Sequence, residues 1–321
     1  MEWKTRVTEL LGCKYPILQG ALARQGTWQL AAAVAETGAH GILTASTSGS
    51  PEQLRKDIKQ IRKTTKGTFG VNVSFGIADK LQEMLAVCID EGVQIETSMY
   101  KPDAFAKLIK ESGLPWIHKV ARIKDAVYAE NAGVDAVIIV GLEGVGFKNP
   151  EQLPTLMAIT IGVKKLKIPV IAAGGIGDGH GFLGALGMGA EGIMMGTGFM
   201  VCQESPLDEE QKKIIAAATE EDPELYFRVL AKADPREYAE AMQFRNKLPL
   251  GQWLRMLERV NVRDPGWRDS TVSIQQSNPR RIIGSLASAV IDRVPTCKEL
   301  VDGIIQEAEE QLDKWQFLKT R

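Results

Sequence analysis

Residues 168–179 read Ile168-Pro169-Val170-Ile171-Ala172-Ala173-Gly174-Gly175-Ile176-Gly177-Asp178-Gly179, a short apolar strand that runs into closely spaced glycines and then into a helix. Units of the same kind extend from it in both directions. Strand-like runs fall at 15–20, 40–46, 69–74, 93–99, 115–121, 134–141, 169–175 and 191–200. Helical-period segments at 28–37, 51–64, 79–91, 102–112, 124–132, 153–166 and 181–189 lie between them. The punctuation agrees: Ser50-Pro51-Glu52-Gln53 sets a cap residue before a first-turn proline, and Lys101-Pro102-Asp103 also opens on proline. Gly38, Gly92, Gly113 and Gly133 stand where each helix must stop. Strands apolar on both sides belong in a parallel sheet covered on its outer face. Eight βα units in about 200 residues close most simply into an α/β fold of the (β/α)8 barrel type; an open doubly wound sheet is the alternative.

After Ser205-Pro206 the alternation ends. From Asp208 to about Ile291 the sequence pattern is helical and more polar, interrupted at Asp222-Pro223, Asp234-Pro235, Leu248-Pro249, Asp264-Pro265-Gly266 and Asn278-Pro279. Residues 295–317 read as one terminal helix with Leu300, Ile304, Ile305, Ala308 and Leu312 on one face. The expected organisation is a barrel over 1–205, a small helical lid subdomain over 206–291, and a returning helix over 292–321. That helix packs either on the barrel or on a partner subunit, which would make a homodimer.

Composition narrows the function. The 321 residues are 44% hydrophobic, and Lys+Arg 39 against Asp+Glu 40 leaves a net charge of −1. Such a balance has no electrostatic footprint for nucleic acid or an anionic membrane, so the expected partner is a small-molecule substrate. Apolar runs are strand-sized, far short of the roughly 20 residues of a membrane span. The opening Met1-Glu2-Trp3-Lys4-Thr5-Arg6 lacks the apolar core of a signal peptide, which makes a cytoplasmic location the expectation. Cys13, Cys88, Cys202 and Cys297 are scattered, without a CxxC pair. They read as reduced, buried thiols rather than as a zinc site or disulfide framework, and no metal is expected.

In a (β/α)8 barrel the chemistry lies at the carboxyl ends of the strands, and a phosphate is often held after strands seven and eight. Those ends read Ala173-Gly174-Gly175-Ile176-Gly177 and Met195-Gly196-Thr197-Gly198. Glycines admit close approach of an anion to backbone N–H groups, so the pair is read as a phosphate cradle; tight turns alone are the plainer explanation. Gly179-His180-Gly181-Phe182-Leu183-Gly184 matches GxGxxG, but a dinucleotide fingerprint belongs in the first βα unit, and helix packing explains it here. Asn72 inside an apolar strand needs a partner. Lys119 at the end of strand five needs an anion or an electron-rich acceptor, and Glu143 follows strand six.

With these residues in place, the chain resembles the nitronate monooxygenases, once called 2-nitropropane dioxygenases. These are FMN-dependent (β/α)8 enzymes related to flavin-dependent enoyl-acyl-carrier-protein reductases and NADH:quinone reductases. The resemblance is carried by Tyr15-Pro16-Ile17-Leu18-Gln19-Gly20-Ala21, Phe69-Gly70-Val71-Asn72, Ile117-His118-Lys119-Val120, residues 168–176 and Met195-Gly196-Thr197-Gly198-Phe199-Met200; Val294-Pro295-Thr296-Cys297-Lys298-Glu299-Leu300 is similar to the closing helix. It implies an FMN contacted by Asn72 and Lys119. The phosphate would lie on Ala173, Gly174, Gly175, Gly196 and Thr197, with Ala21 and Leu22 near the isoalloxazine, and Glu143 and Gly146, on the loop after strand six, would also bind the cofactor. One departure matters. The family's active-site histidine is replaced by Phe147, whose ring takes no proton, and a first-strand Met is Leu22. The catalytic residue is therefore open; His180 and His118 are the candidates, each against a capping or structural role. What the resemblance then implies is hydride transfer from NADH or NADPH, through FMN, to an enoyl- or quinone-type acceptor. Nitronate oxidation without the histidine and a non-catalytic flavin-binding role are the alternatives. Trp253 and Trp267 are available to line such a pocket or to form the core of the helical insert.

Overall fold

The computed structural model describes residues 1–74, 80–98, 102–146, 148–223, 229–249 and 282–315, with positions 225, 252, 253, 256, 257 and 260. Its strands are β1 (Ile17–Gln19), β2 (Gly41–Thr44), β3 (Phe69–Asn72), β4 (Gln94–Ser98), β5 (Trp116–Val120), β6 (Ala136–Val140), β7 (Val170–Ala173) and β8 (Gly192–Met195). All pair in parallel in the order β1-β8-β7-β6-β5-β4-β3-β2, and a bridge from Leu18 to His40 joins the two ends. The fold is a (β/α)8 barrel, as the alternation predicts.

Helices α1 (Arg6–Leu11), α2 (Trp28–Glu36), α3 (Ala45–Ser48), α4 (Pro51–Thr64), α5 (Leu81–Asp90), α6 (Asp103–Ser112), α7 (Ile123–Ala132), α8 (Thr155–Lys165) and α9 (Gly179–Gly187) cover the sheet or its lower end. They begin and stop for local reasons. At α4 the Ser50 hydroxyl accepts from the Gln53 N–H, and Pro51 fills the first turn, where its missing N–H costs nothing. The outward faces of the strands, with Ile17, Leu43, Val71, Ile95, Val137 and Ile193, pack on this layer. The lumen holds Leu18, Ile117, Ile138, Ile171 and Met194, together with Val7 and Leu11 of α1. Helix α1 therefore plugs the amino-terminal end, and only the carboxyl end can admit a ligand.

Two strand readings need correction. The eighth stops at Met195, and α10 (Thr197–Val201) occupies the rest of the predicted run. An unbroken apolar sequence does not distinguish a strand from a buried helical turn. The fourth is not apolar on both sides: it presents Gln94, Glu96, Thr97 and Ser98, all buried.

Beyond the barrel lie α11 (Glu209–Ala216), α12 (Pro235–Gln243), a 3-10 turn (Leu286–Val290) and α13 (Cys297–Lys314). A capping box between Thr296 and Glu299 starts α13, and Val301, Ile304, Ile305 and Ala308 bury one face. It packs on α9 and α2. At Gly179 a Cβ would stand 2.7 Å from the Ile304 carbonyl oxygen, so close helix packing accounts for the glycine that opens the GxGxxG match. Trp253 is buried and its indole N–H donates to the Ala241 carbonyl at 3.0 Å; Trp267 lies outside the described residues. Among the described residues no helix is long and apolar enough to cross a membrane.

Candidate active site

Strand alternation decides which side chains reach the mouth. Ile117 lies in the lumen, so Lys119, two residues on, shares its face and rises to the rim. His118 faces the other way: it is fully buried, with Nδ1 2.7 Å from the Thr97 hydroxyl, which also accepts from the Trp116 indole at 2.8 Å. It belongs to the packing outside the sheet.

On β3, β4 and β5 the rim is polar. Asn72 Nδ2 donates to Glu96 Oε1 at 3.0 Å and to Ser98 Oγ at 3.3 Å, while its Oδ1 accepts from Ser74 Oγ at 2.5 Å. Asn72 and Glu96 are paired in register, as are Ser98 and Lys119. Glu96 is 1% exposed, and its Oε2 is buried with no hydrogen-bond partner. Burial pushes this carboxyl above its ordinary value; the Lys119 charge and the hydrogen bonds from Asn72 and Ser98 pull the other way.

Opposite lie the glycine ends. Gly174 has φ +103° and Gly175 φ +77°, a turn that side chains rarely adopt. The N–H groups of Gly174, Gly175 and Gly196 donate to no acceptor among the described residues. Backbone polar groups left unpaired in a native fold call for a partner. The end of β1 adjoins this rim: a Cβ at Gly20 would be 3.1 Å from the Gly196 Cα, and one at Gly196 would be 3.6 Å from Leu22 Cδ2. The Leu22 N–H donates to the Thr44 hydroxyl at 3.1 Å, and Ala21 is half-buried beside it. The structure thus brings Ala21, Leu22, Ala173, Gly174, Gly175, Gly196 and Thr197 to one side of the mouth and Asn72 and Lys119 to the other.

Some expected donors are already engaged. The Thr197 hydroxyl is 2.9 Å from Ser285 Oγ and accepts from the Ser285 N–H at 3.0 Å. Glu143 caps α8, its Oε2 accepting from the Thr155 N–H at 2.8 Å and the Thr155 hydroxyl at 2.7 Å. The start of α9 is closed by Asp178, which accepts from Gly181 N, and by Glu307, which accepts from Gly179 N. That helix terminus offers no anion site, and any phosphate must use the loop amides. His180 is exposed, its Nδ1 2.6 Å from Glu307 Oε1 on α13, so it is not brought to Asn72 and Lys119. Gly146 is exposed on its loop, and Phe147 lies outside the described residues.

Three residues escaped the sequence reading. Glu96 was hidden in a strand taken as apolar. Ser285 reaches Thr197, at the start of α10, from 88 residues downstream. Lys148, 5% exposed, donates to the carbonyls of Leu142 and Gly144 at 2.6 Å each and to that of Val229, fastening the loop after β6 to the helical insert. Donor atoms of Cys202, Glu204 and Cys297, and of Asp178, His180 and Glu307, also lie within 4.8 Å of one another. Glu204 there caps α13 through the Cys297 N–H at 3.0 Å, and the second group is the α9 cap just described.

A sequence model described as nitronate monooxygenase matches residues 4–307. The chain belongs to the nitronate monooxygenase family. It is an oxidoreductase. A probable nitronate monooxygenase from Staphylococcus aureus (strain JH9) is 30% identical, over 68% of this chain and 74% of the relative. The (3aS,4S,5R,7aS)-5-hydroxy-7a-methyl-1-oxo-octahydro-1H-indene-4-carboxyl-CoA dehydrogenase of Mycobacterium tuberculosis (strain ATCC 25618 / H37Rv) is 28% identical, over 96% of this chain and 97% of the relative. Among solved structures, FabK from Thermotoga maritima superposes with a TM-score of 0.75 at 30% identity, covering 98% of this chain and 99% of that one.

Proposed function

We propose that the protein is an FMN-dependent oxidoreductase that moves hydride between a nicotinamide, NADH or NADPH, and a small organic substrate of the enoyl-thioester or quinone type. The observation that carries this reading is the pairing of two rims: amides at Gly174, Gly175 and Gly196 that have no acceptor among the described residues face a wall that holds Asn72 and Lys119. The residues fit the group. A phosphate monoester needs N–H donors without intervening side chains, and the polar edge of a flavin needs a carboxamide and a cation.

FMN, when bound, supplies reversible two-electron chemistry. The chain's own residues supply the rest. The loop amides after β7 and β8 anchor the phosphate, with Ser285 holding Thr197 in place. Asn72 meets the ring edge with a carboxamide whose NH2 is already committed to β4. Lys119 favours negative charge at that edge. Leu22 and the lumen residues Val140 and Ala173 would exclude water from the floor of the mouth.

The thioester class is supported by the carboxyl-CoA dehydrogenase, which aligns over nearly the whole chain, whereas the Staphylococcus aureus relative aligns over about two-thirds. The test is direct: the purified protein carries FMN or takes it up, NADH or NADPH bleaches it anaerobically, and an enoyl thioester or quinone restores the colour. No FMN uptake by correctly folded protein overturns the reading. Nitronate oxidation is the second reading, favoured by the family match itself. Oxygen uptake with propionate-3-nitronate supports it, and background rates count against it, as Phe147 in the histidine's place leads one to expect.

A further inference from the structure

We propose that Glu96 is a positioning residue of the mouth: its carboxylate fixes the direction of the Asn72 carboxamide and offsets the charge of Lys119, and so sets the field that a bound flavin ring meets. The inference rests on the FMN reading above and adds to it a residue that no motif marks. β4 lies between the two strands that carry Asn72 and Lys119, and Glu96 is in register with Asn72. An ionised carboxylate only accepts hydrogen bonds. With Oε1 3.0 Å from Asn72 Nδ2, it obliges the amide to turn its NH2 toward β4 and its Oδ1 toward Ser74 and the opening. A neutral amide or hydroxyl at this position would impose no such direction.

The second oxygen makes the case electrostatic. Burial of this carboxyl with Oε2 unpartnered among the described residues favours its neutral form, and the charge of Lys119, with the hydrogen bonds from Asn72 and Ser98, favours the carboxylate. The surroundings among the described residues are otherwise uncharged. β3 presents Asn72, and β4 itself presents Ser98 and Gln94. Gln94 hydrogen-bonds His40 at 3.2 Å one layer deeper, and burial holds that imidazole low, at about 4, and neutral. Across the lumen stand Ile138, Val140, Ile171, Ala173 and Met194. A positive charge at Lys119 favours the reduced, more negative form of a flavin bound at the mouth and so raises its reduction potential; the Glu96 carboxylate acts in the opposite direction.

The experiment is a midpoint-potential measurement on FMN-loaded protein, equilibrated anaerobically with a reference dye, for the native chain, Glu96→Gln and Glu96→Asp. Glu96→Gln keeps the volume and removes the charge. The two-electron reduction equilibrium should shift at least tenfold toward the reduced form, about 30 mV upward. Glu96→Asp keeps the charge and shortens the arm, so its potential stays at the native value while FMN binding weakens. A Glu96→Gln potential equal to the native one overturns the inference. Should that variant fail to fold, the reduced-minus-oxidised infrared difference of native holoprotein decides: perturbed carboxyl bands support the inference, and their absence overturns it. A folded native protein that takes up no FMN removes the cofactor reading and this inference together. FMN uptake with an unmoved potential removes the inference alone.

Discussion

Replacing Gly174 by Ala tests whether the turn after β7 is built as tightly as the cradle requires. The glycine sits at φ +103°, where an L side chain costs about 1–2 kcal/mol or more. Its new Cβ would stand 3.0 Å from the Gly141 carbonyl oxygen and the Gly144 nitrogen and 3.1 Å from the Thr155 hydroxyl. None of these can step back freely. Gly144 N–H donates to that same Gly141 carbonyl at 3.0 Å, and the Thr155 hydroxyl bonds Glu143 at 2.7 Å. Overpacking of this kind costs about 1–3 kcal/mol, for a total of about 2–5 kcal/mol. At about 2 °C per kcal/mol for a chain of this length, the melting temperature falls by about 4–10 °C. The assay is thermal unfolding of the apo-protein by circular dichroism, followed by FMN titration, in which affinity drops at least tenfold. Gly184→Ala is the control. A Cβ there meets nothing within 4 Å, and alanine in a helix is favoured by up to about 1 kcal/mol, so its melting temperature holds or rises. A Gly174→Ala protein that melts with the parent would refute the reasoning.

Lys148→Met removes the donor shared by three loop carbonyls; a loss of about 3 kcal/mol and faster proteolysis within residues 206–291 are expected, and unchanged cleavage would contradict the fastening role. His40 is held down to about 4 by burial, against an ordinary 6.5. Below pH 6.5 the unfolded chain takes up a proton that the folded chain refuses, so this group's contribution, about 3 kcal/mol, is present above pH 6.5 and is lost as the pH falls toward 4. Denaturant titrations across that window should show a steeper loss in the native chain than in His40→Gln; parallel curves would be the contrary result. Burial lifts the Cys13 and Cys88 thiols to about 12, and Cys202 and Cys297 are fully buried. A disulfide reagent at pH 8 should find no reactive thiol in the native protein and four after denaturation.

Much of the barrel is legible in the chain because each βα unit carries its own start and stop. Ser50-Pro51 places the beginning of α4 and Gly113 the end of α6, and the Val/Ile runs of β6 and β7 cannot be solvent-facing. The legibility fails where one sequence property serves two structures. Residues 192–200 carry no charge and only one hydroxyl, at Thr197, yet Gly196 ends the strand and a helical turn follows. Within β4, Glu96 stands beside Ile95, and neighbours in a strand point to opposite faces. The apolar half of the pattern belongs to the helix layer and the polar half to the lumen, a distinction that appears only once the sheet closes. The glycine ends of β7 and β8 were visible as a pair, but the closure of the α9 terminus by Asp178 and Glu307 was not, because Glu307 arrives from 128 residues away. The link between Thr197 and Ser285 has the same character.

The central claim is that two glycine rims of this barrel hold a phosphate. Fluorescence titration of the apo-protein with FMN and, in parallel, with riboflavin, which has the same ring and no phosphate, tests it most directly. The account predicts that FMN binds at least 100-fold more tightly, about 2.7 kcal/mol, and that the preference shrinks in Gly174→Ala. Equal affinity for the two flavins would contradict it.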